Sequence, residues 1–377
     1  MDAVGMKKPI VKENRHKAEA TPIPTALRHP LPRSGIAVWG IMLSALVFAF
    51  ALELSLGSVL IPLKTVASIL LGHMDAPIEW RQIILLFRLP RALTAMLAGA
   101  ALGIAGLKMQ TLFRNPLADP FVLGISSGAS LGVALVVMAA GGFKWSLLME
   151  RAGVAGNLSL VLAATLGALG VLSVVLGIAR RVESNLTLLI VGLMFGYITG
   201  SIVNILMQFT AEHQMQSYIA WTFGSFGGVT WHQMAVFAPT LACGLAMAWV
   251  LTKPLNALLL GDGYARSMGV NVRLVRSWVI VGASLLAGAV TAYCGPIGFL
   301  GIAVPHLGRI LFKTSDHHKL VPAVTMLGAT LALIADLIAQ APGTEIALPL
   351  NAVTALIGAP VVVGVILRRR HIMEAGI

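Results

Sequence analysis

Three ionisable side chains interrupt long apolar runs of this 377-residue chain: Glu53, Lys108 and Asp336. A charge inside a bilayer is costly, so each is a functional hypothesis by default. The chemistry a lone carboxyl group offers there is proton relay, and a proton-coupled transporter would have to work through Asp336 or Glu53. Asp336 is the deepest of the three, and a structural hydrogen-bonding role suits it as well as a relay does. Glu53 and Lys108 stand near the ends of their runs, where their stems could snorkel to the interface. Enzyme chemistry finds no foothold. There is no Gly-x4-Gly-Lys-Ser/Thr run for ATP and no His-Glu-x2-His zinc pair. A membrane-embedded enzyme would need paired acid–base or metal residues at one depth, and none stands out. His317-His318 falls in a basic loop and is expected to be solvated. Cys243 and Cys294 lie in apolar runs and are expected to be inert thiols.

The elements that must position these residues follow from composition. The chain is 57% hydrophobic and 11% charged, whereas a soluble domain carries about 25% charged residues. It is therefore expected to be an all-α polytopic membrane protein with one membrane domain. The formal charge of +12 does not point to nucleic acid, because the basic residues sit between apolar runs rather than on one soluble face. A helix needs about 20 apolar residues to cross the hydrocarbon. Ten runs qualify, roughly 35–56, 91–112, 121–140, 157–179, 186–207, 231–251, 277–293, 295–312, 320–340 and 348–367. Segment 57–90 is too polar to span. Pro62 would open a short helix through Leu71, and 78–87 would form a second, both at the outer surface.

Ten spans put both termini on one side, together with the loops at 113–120, 180–185, 252–276 and 309–319. Those segments hold most of the 27 Lys and Arg residues, which places both termini in the cytoplasm. Residues 1–34 then read as a cytoplasmic basic tail meeting anionic lipid, not a cleaved signal. Residues 35–368 form the transmembrane domain, with 252–276 as its longest cytoplasmic loop, and 369–377 a second tail.

Several motifs carry structural meaning. Glycines recur every fourth residue at Gly99 and Gly103, at Gly124, Gly128 and Gly132, and at Gly192, Gly196 and Gly200, a spacing that lets helix backbones approach closely in lipid. Asn115-Pro116-Leu117-Ala118-Asp119-Pro120 forces irregular backbone at the end of the second run. It would be either a rigid turn or one wall of a gate. Gly224 to Gly228, after a polar stretch, suggests a half-helix, and Gly295 to Gly301 breaks another span. Broken helices often border transport pathways. The loop 252–276 suits two short helices on the membrane face, either lipid-facing or a docking knob for a cytoplasmic partner. Arg88 and Arg91 stand at the outer mouth of the second run.

Over about residues 36 to 368 the sequence closely resembles the FecCD-type permeases, the membrane subunits of ABC importers for ferric siderophores, haem and vitamin B12. The resemblance is carried by RLPRALTAMLAGAALGIAGLKMQTLFRNPLADPFVLGISSGASLG, WTFGSFGGVTW, GDGYARSMGV, GPIGFLGIAVPHLGRIL and LPLNAVTALIGAP. It implies the type II ABC importer architecture: ten helices per subunit and a homodimer with one path at its interface. It also implies two copies of a cytoplasmic ABC ATPase, which carry the ATP and Mg, a periplasmic substrate-binding protein, and residence in the bacterial inner membrane. No cofactor would be bound by this chain itself. By the same resemblance Arg88 and Arg91 would dock carboxylates of the binding protein. Asn115, Leu117, Ser184 and Asn185 would form the cytoplasmic gate. Leu258, Gly261, Arg266, Gly269 and Arg273 would couple to the ATPase. Gly192, Gly196, Gly224, Gly227 and Asn351 would line the path. Two departures stand out. Ala347-Leu348-Pro349-Leu350-Asn351 replaces the common Glu-Leu-Pro-x-Gly, with Glu345 close by, and Gln340 occupies a position where a relative offers a third docking arginine. Haem is the favoured cargo, with a ferric siderophore or vitamin B12 as alternatives. His73, His213 and His232 are better placed to meet haem than His306, whose expected role is structural.

Overall fold

The computed structural model of the chain describes residues 33–73, 76–140, 157–179, 181, 184–343 and 347–374. Every regular element among them is helical. Helix α1 (Arg33–Ser55) is followed by the short α2 (Leu63–Leu70), which Pro62 opens from its N-cap position. Next, α3 (Ile78–Gln82), a π turn (Ile83–Arg88) and α4 (Leu89–Leu112) run on as one 35-residue helix, Ile78–Leu112. The stretch 78–87 is thus not a separate surface helix. Pro90 lacks the N–H that would bond back one turn, and the wider π turn just before it absorbs the interrupted ladder.

The remaining helices are α5 (Ile125–Ala140), α6 (Asn157–Ala179), α7 (Asn185–Gln208), α8 (Glu212–Thr222) and α9 (Trp231–Val250), then α10 (Thr252–Leu259), α11 (Asp262–Ser267), α12 (Val272–Cys294), α13 (Leu300–Phe312), α14 (His317–Ala339) and α15 (Leu350–Glu374). Among the described residues seven helices are long and apolar enough to span a membrane, and Ile125–Met138, Leu300–Phe312 and Leu350–Gly364 are shorter apolar helices. Together they match the ten expected runs one to one. The run expected at 277–293 begins earlier, at Val272, so the loop before it ends sooner than the sequence indicates.

Two of the short helices are short for the same reason. The chain re-enters the protein before each begins. After α12 the backbone is irregular over 295–299, with Gly295 at φ +77° and Phe299 at φ 68°. Helix α13 then starts with Gly301 pressed against Gly106, six residues and about 9 Å of helix rise before the end of α4. Residues 295–312 therefore run from one end of the bundle to the other as an irregular stretch followed by a half-helix, not as one continuous helix. After α4, residues 113–119 turn back and a 3-10 turn, Pro120–Leu123, leads into α5. Pro120 and Leu123 are buried, so this irregular backbone is satisfied inside protein rather than in lipid.

Helix α4 is the hub. It packs against α14, α12, α13 and α9, while α1 touches mainly α14. Glycines set these contacts. A Cβ at Gly99 would strike the Gly328 carbonyl, and one at Gly106 the Gly301 carbonyl. The α5–α6 pair closes in the same way at Gly128 with Gly167 and at Gly132 with Ala163. Because helices in lipid gain no hydrophobic drive to associate, such close backbone approach is what van der Waals packing requires.

Candidate functional site

At the end of the bundle that carries Arg91, α1, α4 and α14 are tied together by charge. Arg91 Nε donates to Asp336 Oδ2 at 2.7 Å and its Nη2 to Oδ1 at 2.8 Å. This is the bidentate fork that makes Arg–carboxylate pairs strong and directional. Glu53 Oε1 lies 3.9 Å from Arg91 Nε. The Gln340 amide donates to Glu53 and, at 3.2 Å, to Asp336 Oδ2. Gln340 thus bridges the two carboxylates. Glu53 is buried in this cluster and does not snorkel. Nor does Lys108, only 1% exposed, which donates to the Gly244 carbonyl at 3.4 Å. The surrounding α9 and α12 leave its stem no route to an interface.

Arg88 is also inward. Its Nη1 donates to the Leu54 and Ser55 carbonyls at 2.8 and 2.9 Å, and its Nη2 to that of Val59. It satisfies the C-terminal carbonyls that a helix leaves unpaired. Arg88 is 8% exposed, its guanidinium turned to these carbonyls. Arg91 is part-exposed and already paired.

The broken segments meet beside this cluster. Gly224, at φ +74°, ends the 11-residue α8, and Ser225 N–H donates to the Cys294 carbonyl at 2.9 Å. Phe226 plugs the core, and the Gly227 backbone lies against the Arg91 guanidinium. Asn351 accepts from Gly298 N–H at 3.1 Å, and its own N–H donates to the Phe223 carbonyl at 3.0 Å. It staples both irregular stretches to the start of α15. A cavity of about 120 Å³ opens beside them, bordered by Trp221, Ser225, Gln233 and Tyr293. Glu345 lies outside the described residues.

At the opposite end, Asn115 Oδ1 accepts from Leu117 N–H at 3.0 Å, and both residues are exposed or partly so. Ser184 caps α7 by accepting from Thr187 N–H at 3.3 Å. Asn185 opens that helix, and its side chain lies outside the described residues. Asp119 caps the 3-10 turn, accepting from Phe121 N–H at 2.9 Å. Burial pushes its carboxyl up to about 6, against the pull of that hydrogen bond.

Beside this turn, α10 and α11 form a knob. Gly261 at φ +115° and Gly269 at φ +80° make its two corners, a conformation glycine adopts freely. Leu258 is 3% exposed and anchors the knob from beneath. The tip is instead Leu260, Tyr264 and Met268, all exposed, with exposed Arg266 among them. Arg114 clamps the knob's Asp262 at 2.6 Å. Exposed apolar side chains rimmed by charge are a protein-docking feature. The 3.6-residue period of α11, with Ala265 as its buried residue, was the available signal for the tip.

The resemblance points to Gly192 and Gly196 of α7 as lining the path, and the structure shows which face of that helix is open. Helix α7 buries Leu188, Gly192, Thr199 and Val203 against α5 and the 3-10 turn. Gly192 would drive a Cβ into the backbone of Val122 and Leu123, so this glycine serves packing. The opposite face is exposed along its length, with Thr187, Tyr197, Ser201, Asn204 and Gln208 at helical spacing among the equally exposed Leu186, Ile190, Met194, Ile198 and Ile205. Hydroxyl and amide groups along the open face of a membrane-spanning helix are costly in lipid, so the line they form suits contact with water or protein. Gly196 sits between the two faces, near Ser127.

Comparison with known proteins agrees with this architecture. The chain is 38% identical over 285 residues to the vitamin B12 import system permease protein BtuC of Klebsiella pneumoniae, covering 75% of this chain and 82% of that protein. It is 32% identical over 345 residues to the uncharacterized ABC transporter permease protein YvrB of Bacillus subtilis, covering 89% and 94%. A chain solved in an inward-facing conformation and assigned to the metal-chelate type of ABC transporter superposes with a TM-score of 0.76 at 27% identity, covering 89% of this chain and 99% of that one. Residues 45–369 match the FecCD transport family, and this multi-span permease chain belongs to it.

Proposed function

We propose that this chain is the membrane subunit of an ATP-driven importer that works as a homodimer and carries a large metal chelate inward, with a corrinoid as the leading candidate. What supports the substrate is the shared length with permeases named for vitamin B12 import, 82% of the Klebsiella protein. The exposed polar stripe of α7 supports a path between two copies, because a second subunit would enclose it. The knob would seat on a separate ATPase that holds ATP and Mg. The Arg91 end would face the periplasm and a substrate-binding protein, and both termini would be cytoplasmic. Haem, the expectation from sequence, is the second choice. His73, His213 and His232 are exposed singly on the surface, and nothing in their setting favours an iron porphyrin over a corrinoid.

A proton-coupled carrier working through Asp336 is disfavoured by one observation: Asp336 spends both oxygens on Arg91. The deciding experiment is uptake into proteoliposomes holding this chain with an ATPase and a binding protein from its genomic neighbourhood. Cyanocobalamin, haem and a ferric siderophore are supplied in turn, with and without internal ATP. ATP-dependent accumulation of cyanocobalamin is expected. ATP-dependent uptake of haem alone would overturn the corrinoid assignment, and uptake indifferent to ATP would overturn the class.

A further inference from the structure

A buried polar joint links the knob to the hub helix. His317, the first residue of α14, is 1% exposed, although a pair of adjacent histidines in a basic loop is expected to be solvated. Its backbone N–H and its Nδ1 both meet Asn256 Oδ1 of α10, at 2.9 and 2.8 Å. Asn256 Nδ2 donates to Asp316 Oδ1 at 2.7 Å. That carboxylate fixes the amide's orientation, so Oδ1 must accept and Nδ1 must carry the proton. Nε2 is then an acceptor 2.9 Å from the Thr111 hydroxyl of α4, which also reaches the Leu107 carbonyl at 2.8 Å. Burial pushes the Asp316 carboxyl up, but the His318 N–H and the Asn256 amide outweigh it and hold the group below its usual range.

The chain of contacts continues one residue along α4. Gln110 Nε2 donates to the Ile302 carbonyl at 3.2 Å, in the first turn of the half-helix α13. Its Oε1 accepts from Arg309 at 2.5 Å. A knob held by apolar contacts alone could slide on the bundle. Directional bonds from Asn256 to His317 and on to Thr111 fix its position and orientation together.

We propose that Asn256, His317 and Thr111 are positioning residues through which movement of the knob is delivered to α4, and through Gln110 to α13, instead of being lost in the loop. This inference rests on the importer reading above. Its test is the ratio of substrate taken up to ATP hydrolysed by the complete complex in proteoliposomes. Asn256→Asp sets a carboxylate against Asp316, and it is expected to lower that ratio roughly fivefold while ATP hydrolysis stays within about twofold of wild type. Thr111→Val, nearly the same shape without the hydroxyl, is expected to lower it in the same direction. The transposed pair Asn256→Asp with Asp316→Asn restores the amide–carboxylate bond between the two positions and the acceptor for His317, and is expected to recover the ratio. If Asn256→Asp fails to assemble, as read by co-purification of the ATPase, Thr111→Val decides alone. An unchanged ratio, or uptake and hydrolysis falling in step, overturns the inference. A wild-type complex without ATP-driven uptake overturns the importer reading and this inference with it, whereas a coupled wild type with unaffected variants removes the inference alone.

Discussion

Asp119 shows how a single side chain is set by what folds over it. The sequence places it in the turn Asn115–Pro120, read there as a rigid turn or one wall of a gate. The structure closes the turn against α13, and the carboxyl is buried with its ionisation pushed from 3.8 to about 6. A raised folded value means the group stabilises the fold fully below the unfolded value, and that contribution is lost as pH rises through the folded one. The difference corresponds to about 3 kcal/mol at most. Asn at this position keeps the acceptor for Phe121 N–H without the buried charge. Asp119→Asn is therefore expected to unfold at a higher temperature than wild type at pH 7.5, with the advantage shrinking towards pH 4. Thermal unfolding of the detergent-purified protein across that range measures it, and a pH-independent difference would show that Asp119 is not buried as described. Arg88 and Lys108 teach the same lesson. Their partners are carbonyls of Leu54, Ser55 and Gly244, distant in sequence and of no distinctive residue type. No pattern in the chain announces a side chain that seeks backbone.

At the scale of elements, much was legible because length and hydropathy alone determine a span. The ten apolar runs, the glycine ridges and the break after Cys294 could all be read from residue types. What escaped was continuity. The polar stretch 78–87 looks like a surface helix, yet it is the outer extension of α4, because a helix already started has little reason to stop before Pro90 when a π turn can accommodate it. The close crossing of α4 and α13 supplies a sharp test. A Cβ at Gly106 would occupy the place of the Gly301 carbonyl oxygen, and backbone cannot rotate away as a side chain can. Gly106→Ala is expected to cost about 1–3 kcal/mol or more, read as a lower unfolding midpoint and poorer yield of folded protein. Gly170→Ala, where a Cβ meets nothing within 4 Å, is expected to be neutral and serves as the control. Equal behaviour of the two variants would contradict the packing of α13 on α4.

For the whole molecule, the informative surface is the one left open. Helix α7 reads from sequence as one more apolar span with a glycine ridge, and the resemblance directed attention to Gly192 and Gly196. The exposed polar stripe lies on the face opposite the buried residues, and only the positions of α5 and the 3-10 turn reveal which face is free. An apolar run looks alike on all sides until its neighbours are known. The central claim is that this stripe borders a path that opens and closes with ATP. The most direct measurement is the rate at which a water-soluble thiol reagent labels Ser201→Cys in the assembled complex, in a background where the exposed Cys243 is replaced by Ser. Val47→Cys on the exposed face of α1 provides the lipid-facing comparison. The account predicts that Ser201→Cys labels readily and that its rate changes when ATP is added, while Val47→Cys stays slow throughout. Labelling of Ser201→Cys as slow as that of Val47→Cys, with and without ATP, would contradict it.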